Sequence, residues 1–98
     1  DYTYVDDIVD GIFKTLNKDL SFEIINLGNN HSITLSDFIK TIERVIGKKS
    51  KIKHLPKQPG DVEKTWANVS RAKDLLGWNP QIKFKDGIQR TIKYFSKF

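Results

Sequence analysis

The side chains best placed to do chemistry lie in one stretch, Gln58 to Trp78. Pro59-Gly60-Asp61 signals a tight turn, and a carboxylate held on such a turn can accept two hydroxyl hydrogen bonds, as from a ribose. The same residue types also suit Asp61 to a purely structural Asx-turn or cap. Gln58 beside it can donate a hydrogen bond without charge, or stand as an exposed loop side chain. Trp66 can wall a cleft or pack as a boundary aromatic, and Tyr2 reads as a half-buried tyrosine of an extended segment. The remaining polar residues do not assemble a catalytic set. Asp6 and Asp7 are adjacent, so on a helix they do not face one site, and a place at the helix start accounts for both. His31 and His54 have no partners at metal-ligand spacing, so no metal is assigned. Ser70 has no histidine in a triad-like context, and helix capping explains it. The chain has no cysteine, which removes disulfide and thiolate chemistry. No catalytic residue is therefore assigned.

The elements that must hold these residues are mostly helical. Val69, Ala72, Leu75 and Leu76 recur at helical spacing after Asn68, an N-cap candidate, and the run closes at Gly77 with Pro80 beyond it. Near the start, Ile8, Val9, Ile12, Phe13 and Leu16 form the stripe of a core-facing helix that begins at Asp6-Asp7 and ends near Asn17. Gly11 either weakens that helix or permits close packing against a neighbour. Thr34 to Ile46 is the clearest helix, with Thr34 and Asp37 at capping-box spacing and Gly47 as its stop. Leu35, Phe38, Ile39, Ile42, Val45 and Ile46 form its expected buried face, and Phe84 to Phe98 is the last helix. Ser21 to Leu27 reads as a short strand with bulk on both faces, Lys51 to Leu55 as a second, and Asp1 to Val5 as the end of an extended segment. The expected class is α/β: mainly helical, about four helices with two or three short strands, and no doubly wound sheet.

Three ordered blocks carry a resemblance over essentially all 98 residues: DYTYVDDIVDGI, NLGNNHSITLSDFIKTIE and PGDV…T-x-A…N-x-S-x-A…LGW-x-P. They resemble the C-terminal part of the NAD-dependent epimerase/dehydratase family, the extended short-chain dehydrogenases/reductases that act on nucleotide sugars. Within it they are most similar to UDP-glucuronate 4-epimerases of capsule or O-antigen synthesis. The resemblance implies that residues 1–98 are a C-terminal nucleotide-sugar-binding fragment. An N-terminal Rossmann domain in the same polypeptide would bind NAD and supply the catalytic Thr or Ser, Tyr and Lys. It also implies that Asp61 contacts the nucleotide of a UDP-sugar. Gln58 then stands where galactose epimerases carry an arginine toward the diphosphate, and Tyr2 matches the aromatic near that diphosphate. In the family, bound NAD takes a hydride from C4 of the sugar and returns it to the other face. The glycine-rich fingerprint and the Tyr/Lys pair, four apart, are missing here, so the fragment alone is expected to be inactive and without cofactor. A dehydratase or decarboxylase of the same superfamily is the alternative reading. Phe22 to Leu27 resembles a strand added to the Rossmann sheet, which would leave an exposed edge for self-association.

Composition sets further bounds. Ninety-eight residues with 38% hydrophobic content suffice for one domain with little surplus core. No apolar run approaches a membrane span, so no membrane partner is expected, and a cytoplasmic home fits a chain without cysteine. The net charge is +5, with lysines in KKSKIKHLPK and again at Lys93 and Lys97. Such a patch could belong to a small basic module that binds RNA or an acidic partner. A solubilising surface is the plainer reading, and no zinc finger, RNA-binding aromatic motif or helix-turn-helix accompanies the lysines, so nucleic acid is not expected.

Overall fold

The computed structural model describes residues 1–98 and contains four helices: α1 (Val5–Thr15), α2 (Leu35–Ile46), α3 (Ser70–Leu76) and α4 (Phe84–Phe95). Local chemistry sets their ends. Thr34 Oγ1 accepts from Asp37 N at 3.1 Å and opens α2, which closes on Gly47 at φ 77°. Ahead of α3, Asn68 Oδ1 accepts from Ser70 N at 3.0 Å, and Gly77 ends that helix at φ 64°. The helices pack in two pairs, α1 with α3 and α2 with α4.

A small core sits under the first pair. Val69, Ala72 and Leu76 of the α3 region are buried with Trp78, which is fully enclosed. Leu20, Ile25, Leu27, Ala67 and Leu75 pack around them. The side of α1 that meets this core is its small and polar side: Asp7 and Gly11 are its buried residues. At Gly11 the Leu27 side chain comes so close that a Cβ would lie 2.6 Å from Leu27 Cδ1. Asp7 joins the parts. Its Oδ1 accepts from Gln81 N and its Oδ2 from Ile82 N, each at 3.0 Å, while its carbonyl accepts from Trp78 Nε1 at 2.9 Å.

Two expectations are corrected. There is no strand and no sheet. Residues 22–27 and 51–55 have no regular secondary structure, and none of the backbone–backbone bonds outside the helices involves them. A strand exists only with a partner, and here the Ile24 carbonyl instead accepts from the Arg71 guanidinium at 2.9 Å. The described fold is therefore all-helical rather than α/β, and with no sheet there is no strand edge for the expected self-association. The second correction concerns α1, whose apolar stripe faces outward rather than into the core. Val9, Ile12, Phe13 and Leu16 are all more than half exposed, because the inner side is taken by Asp7 and Gly11. On α2, likewise, Leu35 and Ile46 are exposed while Phe38, Ile39, Ile42 and Val45 are half-buried toward α4.

The result is an open shape. A folded monomer of this mass exposes roughly 5,700 Å², whereas this chain exposes 8147 Å². Its radius of gyration is 16.3 Å, against about 13 Å for a compact domain of such length.

Asp7→Ala is expected to destabilise the fold by about 2–4 kcal/mol, because it strands the Gln81 and Ile82 amides. Asp6→Ala, at an exposed neighbour whose contacts are the helix start and a 3.7 Å pair with Arg90, should cost no more than about 1 kcal/mol; paired thermal melts read the difference. At the end of α2, the Ser50 backbone N–H, with its hydroxyl and nearby Lys49 and Lys40, holds the Glu43 carboxyl below its ordinary value. A group so lowered contributes stability above its unfolded value and loses it as the pH falls through the folded one. A carbon-detected NMR titration should therefore place the Glu43 midpoint below that of an ordinary glutamate.

Candidate functional site

The Gln58–Asp61 segment is a closed turn. Asp61 N donates to Gln58 O at 3.2 Å, and Gly60 at φ 86° supplies the left-handed residue that Pro59-Gly60 turns require. Asp61 Oδ2 accepts from Gln58 N at 3.2 Å. That long bond uses one carboxylate oxygen, no hydrogen bond falls on Oδ1, and the side chain is exposed. Asp61 thus closes its turn and still presents acceptor capacity outward. Gln58 is exposed beside it.

Tyr2 lies elsewhere. Its ring stacks on Phe38 at 4.6 Å between centroids and meets Phe84 at 5.8 Å, so it ties the α2–α4 pair to the start of the chain. Its outer side lines a recess of about 420 Å³ shared with Ser32, Thr34, Glu63, Lys64 and Thr65. A second recess of about 440 Å³ runs from Tyr2 past His31 and Ser32 to Gln81 and Lys83. Trp66 is exposed, with Lys64 Nζ 5.1 Å from its ring centroid. The four residues singled out from sequence are therefore not gathered into one cavity. Gln58 and Asp61 share a turn, Tyr2 faces the loop that follows it, and Trp66 stands at the end of that loop.

Asp1 holds this arrangement together. Its carboxylate accepts from Ala67 N at 2.7 Å, Asn29 N at 2.9 Å and Asn30 N at 3.1 Å. The Asp1 nitrogen donates to the Thr65 carbonyl at 3.0 Å. One side chain thus fixes the 62–67 loop against the Gly28-Asn29-Asn30 turn. Sequence reasoning passed over Asp1, Glu63 and Lys64. Nothing in periodicity or motif spacing marks a carboxylate whose partners lie 28 and 66 residues away.

No three histidine, aspartate or glutamate side chains converge to hold a metal ion. A dinucleotide phosphate needs a glycine-rich turn between a strand and a helix N-terminus, and no helix here follows a strand. The Gly28 turn is already filled, since a Cβ there would lie 2.6 Å from Ala67 Cβ and 3.2 Å from Asp1 Oδ2. These residues do not fit NAD.

The family model described as GDP-mannose 4,6 dehydratase matches residues 1–91. A UDP-glucuronate 4-epimerase of Thermodesulfobacterium geofontis is 44% identical over 95 residues, covering 96% of this chain and 29% of the epimerase. UDP-glucuronic acid decarboxylase 1 of Danio rerio is 33% identical over 96 residues, covering 98% of this chain and 23% of the decarboxylase. The crystal structure of a Bacillus cereus UDP-glucuronic acid 4-epimerase with UDP-glucuronic acid and NAD superposes with a TM-score of 0.91 at 30% identity, over 99% of this chain and 32% of the other. The chain thus spans less than a third of the length of each of these relatives. A match of this extent in both sequence and helix arrangement shows that the chain belongs to the NAD-dependent epimerase/dehydratase family, with nucleotide-sugar epimerases of the UDP-glucuronate type among its similar members.

Proposed function

We propose that residues 1–98 are the substrate-binding lobe of an NAD-dependent nucleotide-sugar epimerase. The whole polypeptide would epimerise C4 of a UDP-sugar of the UDP-glucuronate or UDP-glucose type for surface polysaccharide synthesis. The observation that carries this reading is the Gln58–Asp61 turn, which holds a carboxylate outward with one oxygen unused. A ribose offers two adjacent hydroxyl donors, the complement of such an acceptor. Gln58, on the same turn, donates toward the diphosphate. Tyr2 lines the neighbouring recess, and the exposed Trp66 stands just beyond it at the end of the 62–67 loop.

NAD and the proton-transferring groups belong, in this reading, to an upstream Rossmann half of the same polypeptide. When bound there, NAD supplies the redox chemistry. The lobe's own work is to bind the nucleotide, orient the sugar and exclude water. The outward stripe of α1 supports such a partner. Val9, Ile12, Phe13 and Leu16, with Phe22 and Ile24, leave an apolar surface that a second body would cover. The chain exposes roughly 2,400 Å² more than a monomer of its mass should, which exceeds one partner's share of a standard interface, roughly 800 Å².

A decarboxylase or dehydratase is the second reading. It is favoured by the 33% identity to the zebrafish decarboxylase and by the dehydratase description of the matching family. The lobe serves all three reactions alike, since they differ in the chemistry of the other half.

In the full-length enzyme, Asp61→Ala is expected to raise KM for the UDP-sugar by about 10- to 100-fold, the loss of one or two charge-assisted hydrogen bonds. Its kcat and melting temperature should change little, because the side chain is exposed; an unchanged KM across a panel of UDP- and dTDP-sugars would remove Asp61 from the site. Expressed alone, the 98-residue chain should retain no NAD and turn over no UDP-sugar. Calorimetric titration with NAD checks this, and measurable binding would contradict the placement of the cofactor half.

A further inference from the structure

Positive charge is not spread evenly over this molecule. The chain carries +5 in all. Between Lys40 and Lys57, seven cations stand against one acid, Glu43, so this segment holds +6 and the remainder −1. The fold gathers these charges. Lys40 and Arg44 lie one turn apart toward the end of α2, and Lys48 follows the Gly47 stop. With Glu43, Gly47 and Lys49 they line a recess of about 380 Å³ that has no apolar residue in its wall.

The one acid is engaged in shaping the patch. Glu43 Oε2 accepts from Ser50 N at 2.7 Å and from Ser50 Oγ at 3.1 Å. That clamp ties the chain after Gly47 to the helix end, with Lys48 and Lys49 beside Lys40 and Arg44. Among the seven cations, Lys57 alone forms an ion pair, with Glu63. Aliphatic side chains stand among them: Ile46 is 48%, Ile52 54% and Leu55 68% exposed. No Phe, Tyr or Trp lies between Ile39 and Lys57, and His54 is the one ring in the segment.

This combination selects among polyanions. Single-stranded nucleic acid asks for successive aromatic stacking platforms, and base-edge readout favours bidentate arginines; the patch has no Phe, Tyr or Trp, a single histidine and one arginine. Exposed aliphatics among unpaired ammonium groups suit an anionic lipid interface, where headgroups meet the lysines and the alkyl groups enter the acyl boundary. No helix here is long and apolar enough to cross a membrane, and a peripheral contact of this kind needs none. We propose that the Lys40–Lys57 surface docks peripherally on an anionic membrane face. This rests on charge placement and exposure and is independent of the sugar-nucleotide reading, so either can fail alone.

The test is co-sedimentation of the full-length polypeptide that carries these residues with two kinds of vesicle. One is phosphatidylcholine alone and the other phosphatidylcholine mixed with phosphatidylglycerol. Binding is expected to the anionic vesicles only, weakening as salt rises. A K40E/K48E/K49E variant with unchanged circular dichroism should lose roughly 100-fold in partitioning. Ile52→Ser with Leu55→Ser should reduce it further at constant charge, and K85E/K93E, which removes two cations of α4, should leave it near the original level. Equal binding to neutral vesicles, an equal loss in the α4 variant, no effect of the serine pair, or tighter binding to a single-stranded oligonucleotide than to the anionic vesicles would each overturn the proposal.

Discussion

The structure depends on one buried carboxylate. Asp7 sits on the first turn of α1, is 3% exposed, and receives the backbone amides of Gln81 and Ile82 while its own carbonyl receives the indole of Trp78. These bonds bring the start of the chain against the segment that leads into α4. A buried carboxylate is tolerated only when its oxygens are satisfied, and here two backbone donors of an irregular stretch satisfy them. Both needs are met at once: the charge finds donors, and the 78–82 stretch finds acceptors that no helix or sheet could give it. Trp78 then closes the core that α3 builds from Val69, Ala72 and Leu76. Asp1 repeats the device on a smaller scale, gathering amides of Asn29, Asn30 and Ala67 onto one side chain.

Using Asp7 and Gly11 as the inner side of α1 has a consequence for everything outside. A helix has one stripe of apolar residues to bury, and on α1 that stripe is left pointing away from the core. The small enclosed core and the large exposed apolar area are therefore two views of one arrangement. Polar latches hold the segments together, and hydrophobic surface is left exposed on the outer side of α1. Such a lobe is shaped more by hydrogen bonds to its loops than by the burial that stabilises a free-standing domain of similar length. The family match fits this economy, since its members are more than three times as long as the chain.

Charge divides the molecule in a different way from hydrophobicity. The Gln58–Asp61 turn and its neighbours Glu63 and Lys64 carry both signs within a few residues. The end of α2 and the chain after it carry almost only positive charge, arranged by the Glu43–Ser50 clamp. The two regions adjoin along the sequence at Lys57, whose ion pair to Glu63 joins them. One continuous segment thus runs from the cationic surface to the candidate nucleotide turn.

The sequence by itself determined what depends on neighbours a few residues apart. The existence of four helices, the Thr34 cap, the Gly47 and Gly77 stops, the Pro59-Gly60 turn and the apolar set of Val69, Ala72 and Leu76 all follow from contacts within one turn of chain, and all stand in the structure. The three family blocks were legible for the same reason, being strings of adjacent residues. Tertiary structure alone decided what depends on a distant partner. Residues 22–27 and 51–55 have the composition of strands but are not strands, because pairing is a property of two segments and neither finds one. Asp7 reads as an ordinary helix-start carboxylate until residues 74 and 75 positions away bring their amides to it. The stripe of α1 reads as a core face until Asp7 and Gly11 take the inside. Periodicity says that a helix has two sides, and only packing says which of them is in.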